Sequence, residues 1–143
     1  MTDVLLEQLV QAMAANDAAA VAALYTDDCV IADPVMEIAG KDGLLEALRV
    51  FFGAFHLTSI AIDQVIQDGD RLAVRWSWSV VHQGDYLGVP ATDKEFHTWN
   101  VMLLEVRDGR FSRDTSVWDA GELRRLEQLA GMHPASADQP PGA

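Results

Sequence analysis

Apolar side chains recur at helical spacing through the first 55 residues of the chain. The N-terminal stretch can pack one stripe inward, formed by Leu5, Leu6, Leu9, Val10 and Met13. Asn16-Asp17 ends this helix, and Asp17 offers an N-cap oxygen to a second, Ala-rich helix. A third helix is predicted over 41–55, where apolar residues again lie three and four positions apart.

A short strand is expected between the second and third helices. The second helix would bury Val21, Leu24 and Tyr25 on its inner edge. Thr26-Asp27-Asp28 predicts a turn after it. The strand then covers 29–33 and ends at Pro34, because proline cannot donate to a central ladder.

Beyond Leu57 the pattern changes to β-branched and aromatic residues, which are typical of strands. Two Asp-Gly pairs, Asp68-Gly69 and Asp108-Gly109, predict hairpin turns. They join long strands over 59–66, 71–82, 95–107 and 110–118, with a loop over 84–93 and a short closing helix over 122–130. Helices first and antiparallel strands last predict an α+β domain, in which helices cover the concave face of a curved sheet.

Length and composition fit one domain. The chain has 143 residues, 50% of them hydrophobic, which is enough for a single core over 1–131. Residues 132–143 are rich in Pro, Ala and Asp and are expected to be disordered. The single cysteine, Cys29, excludes a disulfide scaffold, and no apolar run is long enough to cross a membrane, so a cytoplasmic protein is expected.

The charge balance argues against polyanionic partners. Asp and Glu number 22 against 10 Lys and Arg, giving a net charge of −12, and residues 1–40 contain no base. Nucleic acid and anionic membranes attract clustered Lys and Arg, so neither is an expected partner. Two tryptophan-rich strands suggest that both faces of the sheet are apolar, which predicts a homodimer.

Several chemistries lack their characteristic spacing. The chain has no phosphate-binding glycine loop, no nucleophile elbow, and four histidines without the spacing of metal ligands. No cofactor and no metal are therefore expected. Acid–base chemistry by carboxylates and histidines in an apolar cavity remains.

The last hairpin predicts which side chains meet. If Asp108-Gly109 is a two-residue turn with regular pairing, Asp119 opposes Thr98 and shares one face with Asn100. A carboxylate in apolar surroundings can both take and give a proton, and an amide can donate to an enolate oxygen. The same register places His97, Trp99 and Trp118 on the other face, unless a bulge intervenes.

Each candidate has a simpler structural explanation. Asp119 could cap the closing helix, and Asp33 could fix a turn before Pro34. His82 and His97 could be hydrogen-bonded edge residues. The tryptophans could belong to the core or to an interface.

An ordered set of segments carries a family resemblance. The segments are 75–84, from Arg75-Trp76 through His82-Gln83-Gly84, then 88–94, Val106-Arg107-Asp108-Gly109-Arg110, and Asp119 with 126–131. Together they resemble the SnoaL-like polyketide cyclases of the nuclear-transport-factor-2-like superfamily, over about residues 2–131. The resemblance implies a cone-shaped α+β barrel with a deep hydrophobic pocket. It also implies an acidic residue near the end of the last strand, acting as acid–base in an aldol closure, and Asp119 falls there.

The chain departs from the cyclase pattern at three positions, and a shorter segment resembles a second family. Ala91, Asp93 and Thr115 replace residues usual in the cyclases. The stretch 25–35 is similar to the segment of ketosteroid isomerases that carries their general base, which Asp33 matches. Those isomerases combine the base with tyrosine and protonated-aspartate donors. Leu9 and Met102 stand at the donor positions here, so a steroid isomerase is not predicted.

The sequence predicts a small cofactor-independent enzyme of cyclase or isomerase type, acting on a hydrophobic carbonyl or polyketide-like compound. The candidate catalytic residues are Asp119, Asn100, Asp33, His82 and His97. The candidate substrate-binding residues are Trp76, Trp78, Tyr86, Trp99, Met102, Thr115 and Trp118. The alternatives are a cofactor-free hydroxylase or epoxide hydrolase, with Arg75 as a candidate cation, and a non-catalytic binding or dimerisation module.

Overall fold

The structure, a computed structural model, describes residues 2–119 and 121–131. Its helices are α1 (Thr2–Ala14), α2 (Ala18–Ala22), α3 (Lys41–Ala54) and α4 (Gly121–Leu129). Its strands are β1 (Tyr25–Ala32), β2 (Glu37–Ala39), β3 (Phe55–Asp68), β4 (Arg71–His82), β5 (Glu95–Arg107) and β6 (Arg110–Val117). The predicted tail over 132–143 lies outside the described residues.

The strands form one curved six-stranded sheet in the order β2-β1-β6-β5-β4-β3. All neighbours pair antiparallel except β1 and β6, which are parallel. The long connection that a parallel pair needs is supplied by β2, α3 and the strands β3 to β5. The end strands β2 and β3 do not pair with each other, so the sheet stays open. The predicted α+β class with a mainly antiparallel sheet is confirmed.

The helices cover the concave face, as their apolar stripes require. Leu5, Leu6 and Leu9 of α1 are buried in the main core, together with Phe111 and Leu104 of the sheet. Burying a leucine side chain stabilises the fold by about 1.5–3 kcal/mol, so this stripe is what attaches α1 to the sheet.

The turn after α1 is held by two polar side chains. Asn16 adopts φ 54°, and its side chain both accepts from the Leu57 amide at 2.7 Å and donates to the Leu57 carbonyl at 3.1 Å. Asp17 Oδ1 accepts from the Ala20 amide at 3.0 Å, which confirms the predicted N-cap of α2. Asn16 therefore fixes α1 against β3.

Two local predictions near α2 are wrong. Thr26-Asp27-Asp28 is not a turn but part of β1, and Tyr25 begins that strand instead of lying on the helix. Tyr25 and Cys29 are buried in the core, and an irregularity in the β1–β6 pairing lets the intervening acids face solvent. The polar run that suggested a turn is thus a bulged segment of strand. The sequence pattern also gives no sign of the short strand β2.

The β5–β6 hairpin contains the decisive departure from the predicted register. Asp108 and Gly109 have φ 54° and 74°, and Arg107 pairs with Arg110, as a two-residue turn requires. Further along, Val106 pairs with Phe111 but Glu105 pairs with Arg113, so Ser112 is one extra residue on β6.

This bulge moves every later residue of β6 by one position. Met102 now pairs with Ser116, and Val101 pairs with Val117. Ser116 therefore shares the concave face with Met102, whereas Thr115 and Val117 point to the outer face. The predicted sharing of a face by Asp119 and Asn100 is wrong for this reason.

The outer face of the sheet is uncovered and partly apolar. Trp99, Leu103 and Val117 are 55%, 48% and 53% exposed. Arg75 lies over the Trp99 ring, with its guanidinium carbon 4.8 Å from the ring centroid. None of the helices within the described ranges is long and apolar enough to cross a membrane.

Candidate active site

A cavity of about 270 Å³ lies between the concave face of the sheet and helices α1, α3 and α4. Its apolar lining consists of Met13, Leu48, Phe51, Phe55, Trp76, Trp78, Val80, Tyr86, Phe96, Trp118 and Leu126. Its polar lining consists of Asp33, Thr98, Asn100, Ser116 and Glu122. An apolar pocket with a few polar groups is the usual form of a small-molecule site.

The strand register brings the polar groups of β4 and β5 together. Trp76 pairs directly with Asn100, and Trp78 pairs with Thr98. Side chains of directly paired residues lie about 4.5–5.5 Å apart at Cβ. Trp76, Trp78, Thr98 and Asn100 thus form one contiguous patch of the cavity wall.

Asn100 is oriented by its neighbour Trp78. The Trp78 indole N–H donates to Asn100 Oδ1 at 3.2 Å. Because an indole nitrogen can only donate, this bond holds the amide oxygen toward Trp78 and leaves the Nδ2 donors on the other side. Nδ2 makes no hydrogen bond with any described residue, so it is available to a ligand in the cavity.

Trp76, which also lines the cavity, carries a second donor without a partner. Its side chain is 6% exposed, and its indole Nε1 is buried with no hydrogen-bond partner among the described residues. A buried N–H without a partner costs about 1–3 kcal/mol, which an oxygen atom bound in the cavity would offset.

Asp33 lies at the cavity wall directly after β1. Its Oδ1 accepts from the amides of Val35 and Met36 at 2.8 and 2.9 Å, so the turn-fixing role expected before Pro34 is present. Oδ2 makes no hydrogen bond within the described part of the chain. One residue therefore serves the turn with one oxygen and leaves the other to the cavity.

The Asp33 charge acts on its surroundings. Burial raises the pKa of the Tyr86 phenol, and the negative charge of Asp33 raises it further. Glu122, the other cavity carboxylate, is ion-paired with Arg125 Nη1 at 3.4 Å on α4. Asp33 is thus the cavity carboxylate without a basic partner among the described residues.

Sequence reasoning missed a buried acid behind the cavity, Asp114. It is 5% exposed, its Oδ2 accepts from the Tyr25 hydroxyl at 2.7 Å, and its Oδ1 accepts from Ser116 Oγ at 3.0 Å. Burial raises the pKa of Asp114 and the Asp33 charge adds to this, whereas the two hydrogen bonds oppose it. The only sequence signal was an acid on a strand, and its inward direction depends on the bulge at Ser112.

Asp119 lies away from the cavity lining. Its side chain is exposed, and its Oδ1 accepts from the Gly121 amide at 2.9 Å. Its carbonyl accepts from the Glu122 amide at 2.9 Å. These bonds fix the start of α4, as the helix-capping alternative for this residue requires.

Four further candidates also lie outside the cavity lining. Met102 is a core residue, 2% exposed, and Thr115 is turned to the outer face by the bulge. Trp99 and His97 lie on the outer face, where His97 Nδ1 is 2.9 Å from Ser79 Oγ. Trp118, expected on the outer face, instead lines the cavity together with Asn100.

His82 is fully buried beside the cavity and holds the loop over 83–94. Its Nδ1 accepts from the Thr92 amide at 3.3 Å and lies 3.1 Å from the Thr92 hydroxyl, and its ring stacks on Phe55 at 5.0 Å. The accepting role of Nδ1 places the ring proton on Nε2, which is buried without a partner among the described residues. Burial lowers the pKa of His82, and the Gly84 backbone and nearby acids oppose this.

No arginine contributes to the lining of the cavity within the described residues. Arg75 lies over the Trp99 ring on the outer face of the sheet, so it does not line the cavity. No group of three or more His, Cys, Asp or Glu side chains that could hold a metal ion occurs in the described ranges.

Solved structures of similar shape confirm the fold. AclR, a proposed hydroxylase from Streptomyces galilaeus, is 22% identical, has a TM-score of 0.76, and is matched over 88% of this chain and 95% of that chain. A proposed SnoaL-like polyketide cyclase from Jannaschia sp. CCS1 is 16% identical, with a TM-score of 0.76 over 90% of this chain and 91% of that chain.

A third similar structure is described by its fold. It is a protein with a ketosteroid-isomerase-like fold from Catenulispora acidiphila in complex with trimethylamine, 14% identical, with a TM-score of 0.70 over 96% of this chain and 97% of that chain. No curated protein matches the chain significantly. The SnoaL-like domain matches residues 6–114, which is most of the chain. The chain therefore belongs to the SnoaL-like domain family.

Proposed function

We propose that the chain is a cofactor-independent enzyme that moves protons at a hydrophobic carbonyl compound, by cyclisation or isomerisation. Asp33 is the base, and Trp76 and Asn100 donate hydrogen bonds to the carbonyl oxygen. The observation that carries the proposal is the buried indole N–H of Trp76, unpartnered within the described residues, in the same cavity as the Asp33 carboxylate.

The donors suit an oxygen whose charge grows during the reaction. When a proton leaves the carbon beside a carbonyl, negative charge develops on the oxygen, and donors fixed in advance stabilise it. Trp76 Nε1 and Asn100 Nδ2 belong to directly paired residues of the cavity wall, and the proposal assigns both donors to one oxygen atom. Apolar walls strengthen these interactions because they exclude water.

Asp33 suits the proton transfer itself. Its Oδ1 is fixed by two backbone amides, so Oδ2 has a defined direction and is the acceptor. The enolate formed can attack a second carbonyl of the same molecule, whose oxygen then takes the proton back from Asp33. This aldol closure leaves the enzyme unchanged and needs no external reactant. Return of the proton to another carbon gives an isomerisation instead.

The alternatives receive less support. An epoxide hydrolase of the Asp–Arg–Asp type needs a cation in the site, and Arg75 lies on the outer face. A non-catalytic binding module would use the same cavity and the same donors, but it gives no role to the second oxygen of Asp33. Proton exchange at a bound ketone separates such a module from an enzyme.

Hydrogen–deuterium exchange at C2 of 1-tetralone, followed by proton NMR in D₂O, tests the base directly. The wild-type protein should accelerate exchange, and Asp33→Asn should lower that acceleration by about 10²–10⁴-fold, the usual contribution of a positioned base. Trp76→Phe should also lower it. Asp42→Asn, an exposed carboxylate of α3, is the matched control.

Exchange at the buffer rate despite saturable binding of 1-tetralone would favour the binding module over the enzyme. Undiminished exchange in Asp33→Asn would exclude Asp33 as the base. Either result overturns the proposal as stated.

We also propose that the outer face of the sheet pairs two copies of the chain. Trp99, Leu103 and Val117 present exposed apolar surface on adjacent strands. Two arginines flank Glu105 on the same face. Arg71 Nε lies 4.0 Å from Glu105 Oε1, and Arg113 Nε lies 3.8 Å from Glu105 Oε2. Because the chain carries a net charge of −12, a second copy is repelled least at a face that contains arginines.

A further inference from the structure

Ser116 on β6 brings a hydroxyl group into the cavity wall, on the strand next to β5. It pairs with Met102 across β5 and β6, and Asn100 lies two residues further along β5. Diagonal neighbours of this kind lie about 7–8 Å apart. Ser116 and Asn100 can therefore contact two different groups of one small molecule.

The direction of the Ser116 hydrogen bond is set from behind. Asp114 is buried, and as a carboxylate it can only accept. It accepts from the Tyr25 hydroxyl at 2.7 Å on one oxygen and from Ser116 Oγ at 3.0 Å on the other. When Asp114 is ionised, the single proton of Ser116 is directed to Asp114, and the side of the hydroxyl that faces the cavity offers only lone pairs.

The cavity is thus asymmetric in hydrogen bonding. Trp76 Nε1 and Asn100 Nδ2 offer donors on β4 and β5, whereas Ser116 offers an acceptor on β6. An acceptor within an apolar wall discriminates against ligands that bring no donor to it, because water must be removed from it without replacement. The complementary ligand has a carbonyl at one place and a hydroxyl a few atoms away.

We propose that the substrate is a hydrophobic hydroxy ketone or its enol, and that Ser116, held by Asp114, is the residue that recognises its hydroxyl. This rests on the proposed function, since it names the substrate class of the same site. Asp114 is a positioning residue, because it acts on the substrate only through Ser116. The donors Trp76 and Asn100 bind the carbonyl oxygen of the same molecule.

Calorimetric binding of three matched ketones tests this without turnover. The probes are 7-hydroxy-1-tetralone, 7-methoxy-1-tetralone and 1-tetralone, in which the substituent is meta to the carbonyl. The wild type should bind the hydroxy compound about tenfold more tightly than the other two, the effect of one hydrogen bond to a charge-supported acceptor. Ser116→Ala should abolish this preference, while Ser112→Ala, on the same strand but outside the cavity, should keep it.

Asp114→Asn tests the direction of the Ser116 hydrogen bond more sharply than Ser116→Ala, which only removes the hydroxyl. The amide oxygen can still accept from Tyr25, while the amide N–H₂ donates to Ser116 Oγ and frees its proton for the cavity. The preference should then fall or reverse toward the methoxy compound, an effect that a merely structural role of Asp114 would not produce. Circular dichroism checks that each variant is folded.

Equal dissociation constants for the three ketones in the wild type would overturn the proposal, as would an absence of saturable binding. A hydroxyl preference that survives in Ser116→Ala would also overturn it. Asp33→Asn should retain the preference, so undiminished deuterium exchange in that variant would contradict the assigned base while leaving this readout intact.

Discussion

Trp78 donates its indole N–H to Asn100 Oδ1 across 3.2 Å, and this bond decides which end of the amide faces the cavity. Trp78→Phe keeps most of the apolar surface but removes the donor. The amide then loses its fixed orientation, so its oxygen can face the ligand carbonyl, and we expect 1-tetralone to bind about 5–10-fold more weakly. Trp99→Phe on the outer face is the matched control for calorimetry. Equal affinity in Trp78→Phe would mean that Asn100 does not need this bond.

Asp114 should make stability depend on pH in a predictable direction. Its pKa is raised in the folded state, chiefly by burial, above about 3.9 in the unfolded chain. The folded state therefore binds the proton more tightly, so the stability contributed by Asp114 is full below about pH 4 and is lost as pH rises through the folded pKa. Urea unfolding from about pH 4 to pH 7 should show the wild type losing stability relative to Asp114→Asn. Parallel curves for the two proteins would contradict this.

His82 should make folding stability depend on pH in the opposite direction to Asp114. Burial lowers its pKa in the folded state, below about 6.5 in the unfolded chain. The unfolded state therefore takes up the proton first, so stability is full above about pH 6.5 and is lost as pH falls toward the folded pKa. Between about pH 7 and pH 5 the wild type should lose stability relative to His82→Asn, whose Oδ1 can still accept from the Thr92 amide. His56→Asn, at an exposed residue of β3, is the matched control.

The proposed pairing of outer faces predicts an effect on oligomeric state. Leu103→Glu places a carboxylate at the centre of that face and should convert a dimer into a monomer, because each copy would bury an unpaired charge. Light scattering after gel filtration measures the mass. Val4→Glu, at a residue 56% exposed in the first turn of α1, is the matched control. A wild-type monomer at high micromolar concentration would refute the pairing.

Local patterns predict the elements that local physics determines. The helical stripe of α1, the Asp17 cap and the Asp108-Gly109 turn each depend on residues a few positions apart, and all three are present. The prediction that Tyr25 lies on a helix is wrong because its partner Asp114 is 89 positions away, where no local pattern can reveal it. The buried acid was missed for the same reason.

The bulge at Ser112 explains why the predicted site and the observed one differ. The alternation of polar and apolar residues over 110–118 does not predict an extra residue on β6. A regular register, without the bulge, would place Asp119 beside Asn100. Asp33 is a candidate through its match to a short segment, and its position at the cavity depends on how the chain turns after β1 ends at Ala32. Asn100, Trp76 and Trp78 reach the cavity in a strand pair without irregularities.

That single extra residue also gives this chain a short route to a differently lined cavity. Deleting one residue at the bulge would shift the end of β6 back by one position, turning Ser116 and Trp118 outward and Thr115 and Val117 inward. The acceptor at the wall and one aromatic ring would be exchanged together, while the donors on β4 and β5 stayed in place. A change of length by one codon would thus alter which substrates fit more than most single substitutions could.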